Sequence, residues 1–172
     1  MLRFVPFTAA TGFLAIGAFT IGACTMTDID RASTGDTRNL EQTDVAAMAA
    51  TYRHLFANNA SGLKSSASTY CVAVGARSDL ADPSPALLAA LSELSPKVQQ
   101  ASACRISDRV VNTAGQPSLL FTLRSLGCES ADSCLFEGGY YEGNLSASAG
   151  QYRARKVDGR WQVTPEGPQG IS

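Results

Sequence analysis

Apolar positions between residues 43 and 62 recur at helical spacing. In "TDVAAMAATYRHLFANNASG", Val45, Met48, Ala49, Tyr52, Leu55 and Phe56 follow one another at three, four and seven residues, the repeat of one helix face. Thr43 is placed to cap the start, and Asn58 to Gly62 supplies the stop. His54 lies nine residues after Val45, about 180° around the helix, which predicts a solvent-facing side chain. A second stripe, Leu87, Leu88, Leu91 and Leu94, runs through "ADPSPALLAALSELSP". Ser84 is its cap, Pro85 suits the first helical position, and Pro96 ends it.

Elsewhere the period is two. "STYCVAVG" is a short β-rich run ending at Gly75, and "ACRISDRVV" alternates weakly. "PSLLFTLRSL" sets Leu119, Phe121 and Leu123 on one face against Thr122 and Arg124 on the other. "CLFEGGYYEG" carries aromatics around a double glycine, the mark of a bulge or a close backbone approach. Tyr140 and Tyr141 alternate, so one faces the core and the other the surface or a pocket. The clearest local signal is "QYRARKVDGRWQV". Asp158-Gly159 predicts a two-residue type I′ turn, which sets Val157 opposite Arg160, Lys156 opposite Trp161 and Ala154 opposite Val163. Tyr152, Ala154, Trp161 and Val163 then share the core face, and Arg153, Arg155 and Arg160 the opposite one. Residues 166–172 read as a frayed tail. Helix, strand, helix, then four or five strands on short turns predicts an α+β domain over 43–165. Its two helices pack on one face of a curved four- to five-stranded antiparallel sheet.

The N-terminal pattern is of another kind. After Arg3 no charged side chain appears until Asp28, and the run between is apolar but diluted with Thr, Gly and Pro, as in a secretory signal. It is long enough to cross a bilayer, but Pro6, Gly12, Gly17 and Gly22 weaken it as a helix and no basic cluster follows. Ile21-Gly22-Ala23-Cys24 resembles the lipobox of bacterial lipoproteins. That resemblance implies removal of residues 1–23, a diacylglyceryl thioether and N-acylation (palmitate-type chains) on Cys24, and a polar tether over 24–42. One acyl chain anchors marginally, at about 0.8 kcal/mol per buried CH₂, whereas several on one residue hold stably. Thr25, where an Asp would retain the protein at the inner membrane, implies the outer membrane facing the periplasm. An uncleaved anchor and a secreted form with a free Cys24 are the alternatives.

Removing residues 1–23 leaves 149 of the 172 residues and, with Arg3 gone, moves the formal charge from −1 to −2. Near neutrality offers nucleic acid no electrostatic purchase. Cys24 aside, Cys71, Cys104, Cys128 and Cys134 form an even set, which in an exported domain reads as disulfides. Three pairings are possible. Cys71–Cys104 with Cys128–Cys134 is favoured, because the second pair flanks the polar turn "ESADS" where two strands can meet. Metal-ligand spacing is lacking, and the single His is distant.

Catalytic patterns do not emerge. There is no G-x-S-x-G, no phosphate-binding glycine loop and no H-E-x-x-H, and Lys64, Lys97 and Lys156 sit in no motif. Glu137 and Glu142, five apart on one strand, fall on opposite faces unless Gly138-Gly139 bulges. Glu129 and Asp132 are too few ligands for calcium. No catalytic, cofactor or metal residues are therefore assigned. The candidate binding surface is the stripe Arg153, Arg155 and Arg160 with Tyr141, suited to an acidic partner or anionic sugar or lipid groups.

The element order and the closing "YRARKVDGRWQV" resemble cone-shaped folds of the nuclear-transport-factor-two-like and cystatin-like groups. "DPSPALLAALSELSP" and "EGGYYEGNLSASAGQYRARKVDGRW" are similar to segments of small exported bacterial proteins and imply no activity. The expectation is a lipid-anchored envelope protein that binds an envelope partner or a small ligand without catalysis. The alternatives are a periplasmic inhibitor or immunity-type protein of a hydrolase, and a small cone-fold enzyme with its pocket under the sheet.

Overall fold

Helix α1 covers residues 45–58 in the computed structural model, which describes residues 45–144 and 146–171. The expected signal segment, Cys24, the tether and the Thr43 cap lie outside the described residues. α1 buries Ala47, Ala49, Thr51, Tyr52, Leu55 and Phe56. Thr51 is tolerated there because its hydroxyl donates to the Ala47 carbonyl at 2.9 Å. At about 100° per residue this buried arc is centred near Met48, about 60° from Val45. His54 therefore sits on the flank of the helix, half-buried, and its ring meets Tyr152 edge-on at 5.6 Å. The solvent-face placement expected for it is corrected: small Ala47 and hydroxyl-satisfied Thr51 widen the buried face beyond the large apolar residues.

The remaining elements are β1 (Thr69–Val74), α2 (Pro85–Leu91), β2 (Lys97–Gln100), β3 (Cys104–Ile106), β4 (Val110–Asn112), β5 (Ser118–Ser130), β6 (Ser133–Gly143), β7 (Ser146–Val157) and β8 (Arg160–Ile171). The Ser84 hydroxyl caps α2 by accepting from Leu87 N–H at 3.2 Å, and Leu87 and Leu91 are buried. Six strands form one sheet in the order β2-β1-β5-β6-β7-β8, and β3 with β4 forms a separate two-stranded ribbon. From β5 to β8 the sheet is an antiparallel meander, but β1 runs parallel to both β2 and β5. Among the described residues the fold is α+β with two α-helices, as expected. The strand count of four to five is corrected to six, and the purely antiparallel sheet to a mostly antiparallel one. β2, with Val98 as its one aliphatic residue, carries too little pattern to register as a strand.

One face of the sheet meets both helices. Tyr70, Val72, Leu119, Phe121, Leu123, Phe136, Tyr140, Tyr152 and Ala154 pack there with Tyr52, Leu55 and Phe56 of α1 and Leu87 and Leu91 of α2. Phe56, Tyr70 and Phe121 are in mutual ring contact at 4.7–5.0 Å between centroids. The Tyr52 hydroxyl is satisfied by donating to the Ala73 carbonyl at 2.6 Å, and burial pushes its pKa up. The β7–β8 hairpin adopts the expected register, Val157 opposite Arg160 and Ala154 opposite Val163. Asp158 and Gly159 both take positive φ (50° and 75°), as a type I′ turn requires.

The expected frayed tail is corrected as well. Glu166 to Ile171 continue β8, with Gln151 opposite Glu166 and Ser148 opposite Ile171. Gly167, at φ 73°, turns through an irregularity between the Ala149 and Gln151 pairings. Pro165 and Pro168 are compatible with a strand here because β8 is an edge.

Candidate functional site

The second face of the sheet is only partly covered. At its β1–β5–β6 end, Cys71, Ala73, Leu120 and Tyr141 pack with Val110, Ala101 and Cys104 of the ribbon and its approach. The Cys71–Cys104 disulfide pins β3 to β1 there. At the other end of the ribbon, the Tyr141 hydroxyl lies 2.9 Å from the Ser107 carbonyl and 3.0 Å from Asn144 Oδ1, both acceptors for its one proton. Asn144 also donates from Nδ2 to Asp108 Oδ1 at 3.2 Å and from its backbone to the Asp108 carbonyl at 3.2 Å. A disulfide and a hydrogen-bonded turn thus fix the ribbon at both ends.

Beside the ribbon lies a half-open cleft of about 400 Å³. Its floor is β5, β6 and β7 at Leu120, Thr122, Gly139 and Ala149. Its walls are Ile106 from the ribbon, Arg77 and Leu80 from the loop after β1, and Tyr141. The Arg77 guanidinium sits over the Tyr141 ring, 5.7 Å from its centroid. Glu137 also lines the cleft and is paired with Arg124 across the strands at 3.0 Å. Tyr, Glu and Arg thus meet in one cleft, but their reactive atoms do not converge. The phenol points at Ser107 and Asn144, and the carboxylate at Arg124. Among the described residues, no group of three or more His, Cys, Asp and Glu side chains is arranged to hold a metal.

Tyr140 and Tyr141 divide as expected. Tyr140 is in the core, 6.3 Å from Phe121, and Tyr141 lines the cleft. The arginine stripe is different from its sequence reading. Arg153 is held by Glu166 through Nε at 2.7 Å and Nη2 at 3.0 Å, and by Glu129 at 2.7 Å. The Glu166 hydrogen bonds, and then the Glu129 carboxylate beside Nη1, raise its pKa, and the Arg153 guanidinium holds Glu129 below the usual carboxylate range. Arg160 borders a separate groove with Trp161 and the Ala46, Ala49 and Arg53 side of α1. Arg155 and Arg160 are both exposed, Arg155 beside the Arg153 cluster. None of them lines the cleft that Tyr141 lines. Arg77 and Leu80 were missed from sequence because nothing in "GARSDLA" marks a loop that folds back over a sheet face.

Glu137 and Glu142 are not a pair. Gly138-Gly139 keeps register, the shift falling between Tyr141 and Gly143 instead, and the two carboxylates turn to different partners, Glu137 to Arg124 and Glu142 to the loop after α1. Glu142 Oε2 accepts from the Ser61 hydroxyl at 2.6 Å, the Ser146 hydroxyl at 2.9 Å and Gly62 N–H at 3.1 Å. The Ser61 bond does most to hold its pKa down. Its role is to tie the loop after α1 to the β6–β7 turn. His54, half-buried against Tyr152, has its pKa lowered by desolvation and borders a smaller groove with Asn58, Tyr152 and Gln169.

Both expected disulfides are present, Cys71–Cys104 and Cys128–Cys134. Comparison with protein-family models, with curated proteins and with solved structures returns no match.

Proposed function

We propose that the chain is a lipid-anchored protein of the bacterial cell envelope, facing the periplasm from the outer membrane, whose folded unit binds a small ligand without transforming it. The anchor rests on Ile21-Gly22-Ala23-Cys24 behind an apolar run, with Cys24 as the lipidated residue. Two disulfides are in keeping with an oxidising compartment. No helix among the described residues is long and apolar enough to cross a membrane.

The observation that carries the binding role is the cleft. A solvated sheet face ordinarily carries long polar side chains. Here β6 and β7 present Gly139 and Ala149, and a loop and a stapled ribbon rise on either side. At about 400 Å³ the space falls in the range of small-molecule pockets, roughly 300–1,000 Å³. The commitment of Tyr141 and Glu137 to structural partners favours binding over the enzyme alternative. The inhibitor alternative draws support from the exposed β5–β6 turn, residues 129–133, which Cys128–Cys134 staples.

Two measurements test this reading. Intact mass of the protein from envelopes, with and without reductant, should give a chain beginning at a diacylated, N-acylated Cys24 with two disulfides. A chain retaining Met1 ends the anchor reading. Mass spectrometry of small molecules released from the native protein should find a compound retained by wild type and lost in Ala149→Phe, which fills the cleft from an exposed position. Equal retention by both proteins removes the cleft from the function.

A further inference from the structure

Two charged side chains line the cleft, and they are in different states. Glu137 is neutralised by Arg124 at 3.0 Å. Arg77 has no carboxylate partner among the described residues. It is nevertheless held in place. The loop that carries it is closed at its base by reciprocal backbone hydrogen bonds between Val74 and Ala81, both 2.9 Å, and by Gly75 N–H donating to the Leu123 carbonyl at 3.0 Å. Gly75 takes φ 112°, and a Cβ there would fall 2.1 Å from the Asp79 carbonyl oxygen, so the loop packs against its own base. The Tyr141 ring then fixes the guanidinium from below. A guanidinium held over a ring face retains planar N–H donors for an acceptor in the same space.

Beside these charges the cleft offers the polar groups of Thr122, Ser148 and Tyr141 and an apolar part. Leu80 and Ile106, 36% and 42% exposed, are two of the few large hydrophobic side chains left in solvent, and both line the cleft together with Leu120. Resting on the binding reading above, we propose that the cleft takes a small organic monoanion with an apolar body. Its carboxylate pairs with Arg77, and its hydrocarbon lies between Leu80 and Ile106 over Gly139 and Ala149. The unmatched Arg77 selects an anion over a cation, since the one carboxylate in the lining, Glu137, is already paired with Arg124 outside it.

The test is a titration of the purified full chain with octanoate, octanol and octylammonium, followed by the amide resonances of Gly138, Gly139 and Tyr141. Octanoate should bind about tenfold more tightly than either of the others, the advantage of a charge-assisted contact at a partly exposed site. Arg77→Gln, in an exposed loop, should reduce octanoate to the affinity of octanol. Ile106→Asp should weaken both, and Ala149→Phe should abolish the shifts for all three. A preference for octanoate that survives Arg77→Gln, or octylammonium binding as tightly as octanoate, overturns the anion assignment and leaves the cleft as a binding site. Shifts that survive both Ala149→Phe and Ile106→Asp overturn the cleft itself. Absence of any binding by wild type, while a compound is still retained from envelopes, overturns the ligand class alone.

Discussion

Replacing Cys71 and Cys104 together by Ala is expected to remove about 3.7 kcal/mol of stability. The two residues are 33 apart in sequence, and closing a loop of that length costs the unfolded chain roughly 12.5 cal/mol/K in the chain-entropy description. The same arithmetic for Cys128 and Cys134, six apart, gives about 2.2 kcal/mol. The ordering carries more weight than either value, because both pairs share one compartment and one chemistry and differ in loop length. Cys71 is also fully buried in the small cluster with Leu120 and Val110, so its truncation adds a packing loss that works in the same direction. Urea unfolding followed by circular dichroism, compared at constant m, reads both variants. The midpoint of thermal unfolding should fall by about 10–15 °C for the first pair. A second readout separates a staple from a wall. The Cys71–Cys104 bond fixes the strand that presents Ile106 to the cleft, so octanoate binding should weaken in that variant under conditions where it remains folded. A stability loss below about 1 kcal/mol, or a larger loss from the Cys128/Cys134 pair, refutes the loop-entropy account.

Three further outcomes follow from single contacts. Glu142→Gln should cost about 1 kcal/mol, discounted for partial exposure, because one carboxylate oxygen accepts three hydrogen bonds and the amide matches them poorly. Since its folded pKa is lowered, the contribution of Glu142 is full above the ordinary carboxylate range and lost as acid titrates it, so the wild type and Glu142→Gln should converge in stability at low pH. Gly139→Ala should cost about 2–3 kcal/mol, as its Cβ would lie 1.9 Å from the Ser148 carbonyl oxygen. Gly159→Ala, in open space at φ 75°, should cost about 1 kcal/mol, and equal losses in denaturant would contradict the close approach. Arg153→Gln releases Glu166, and amide exchange should accelerate at Gly170 and Ile171 more than at Trp161 and Val163; uniform exchange along β8 would mean the ion pair does not hold the strand end.

Local chemistry was the legible part of the chain. Asp158-Gly159 dictates its turn because two consecutive positive φ values suit few other residue pairs, and the hairpin register follows from it. Cys128–Cys134 was legible for a similar reason, a short polar turn between two strands. What escaped depended on distant partners. β2 is a strand because β1 is beside it, and "KVQQ" has no alternation of its own. The end of β8 looks like a tail by composition. It is held by Glu166 reaching Arg153 and by Gln169, whose side chain fills the space over Gly150. That Glu166 contact is also what takes Arg153 out of the cationic stripe, so one missed strand end altered two readings. His54 was misplaced because the periodic set left out Ala47 and Thr51, which are buried and extend the arc toward it.

The double glycine joins the fold to the cleft. Adjacent strand residues point to opposite faces, so Gly138 and Gly139 serve different neighbours. A Cβ on Gly138 would meet the Thr122 carbonyl oxygen at 2.6 Å and Leu123 Cδ1 at 2.7 Å, with Leu55 Cδ1 at 3.4 Å. Its absence lets α1 seat Leu55 close against β6 on the helix-bearing face. A Cβ on Gly139 would strike the Ser148 carbonyl on the other face, where bare backbone forms the floor between ribbon and loop. Glycine weakens a strand interior, and two in succession are costly unless each is required by a close approach. Both are required here, one by core packing and one by the β6–β7 approach beneath the cleft. The two positions should therefore separate in experiment. Gly138→Ala should lower stability by pressing on the Thr122 carbonyl and the Leu123 side chain of β5, while octanoate binding to the folded fraction persists. Gly139→Ala should lower both, and binding retained at wild-type affinity by a folded Gly139→Ala protein would show that the floor is not part of the site.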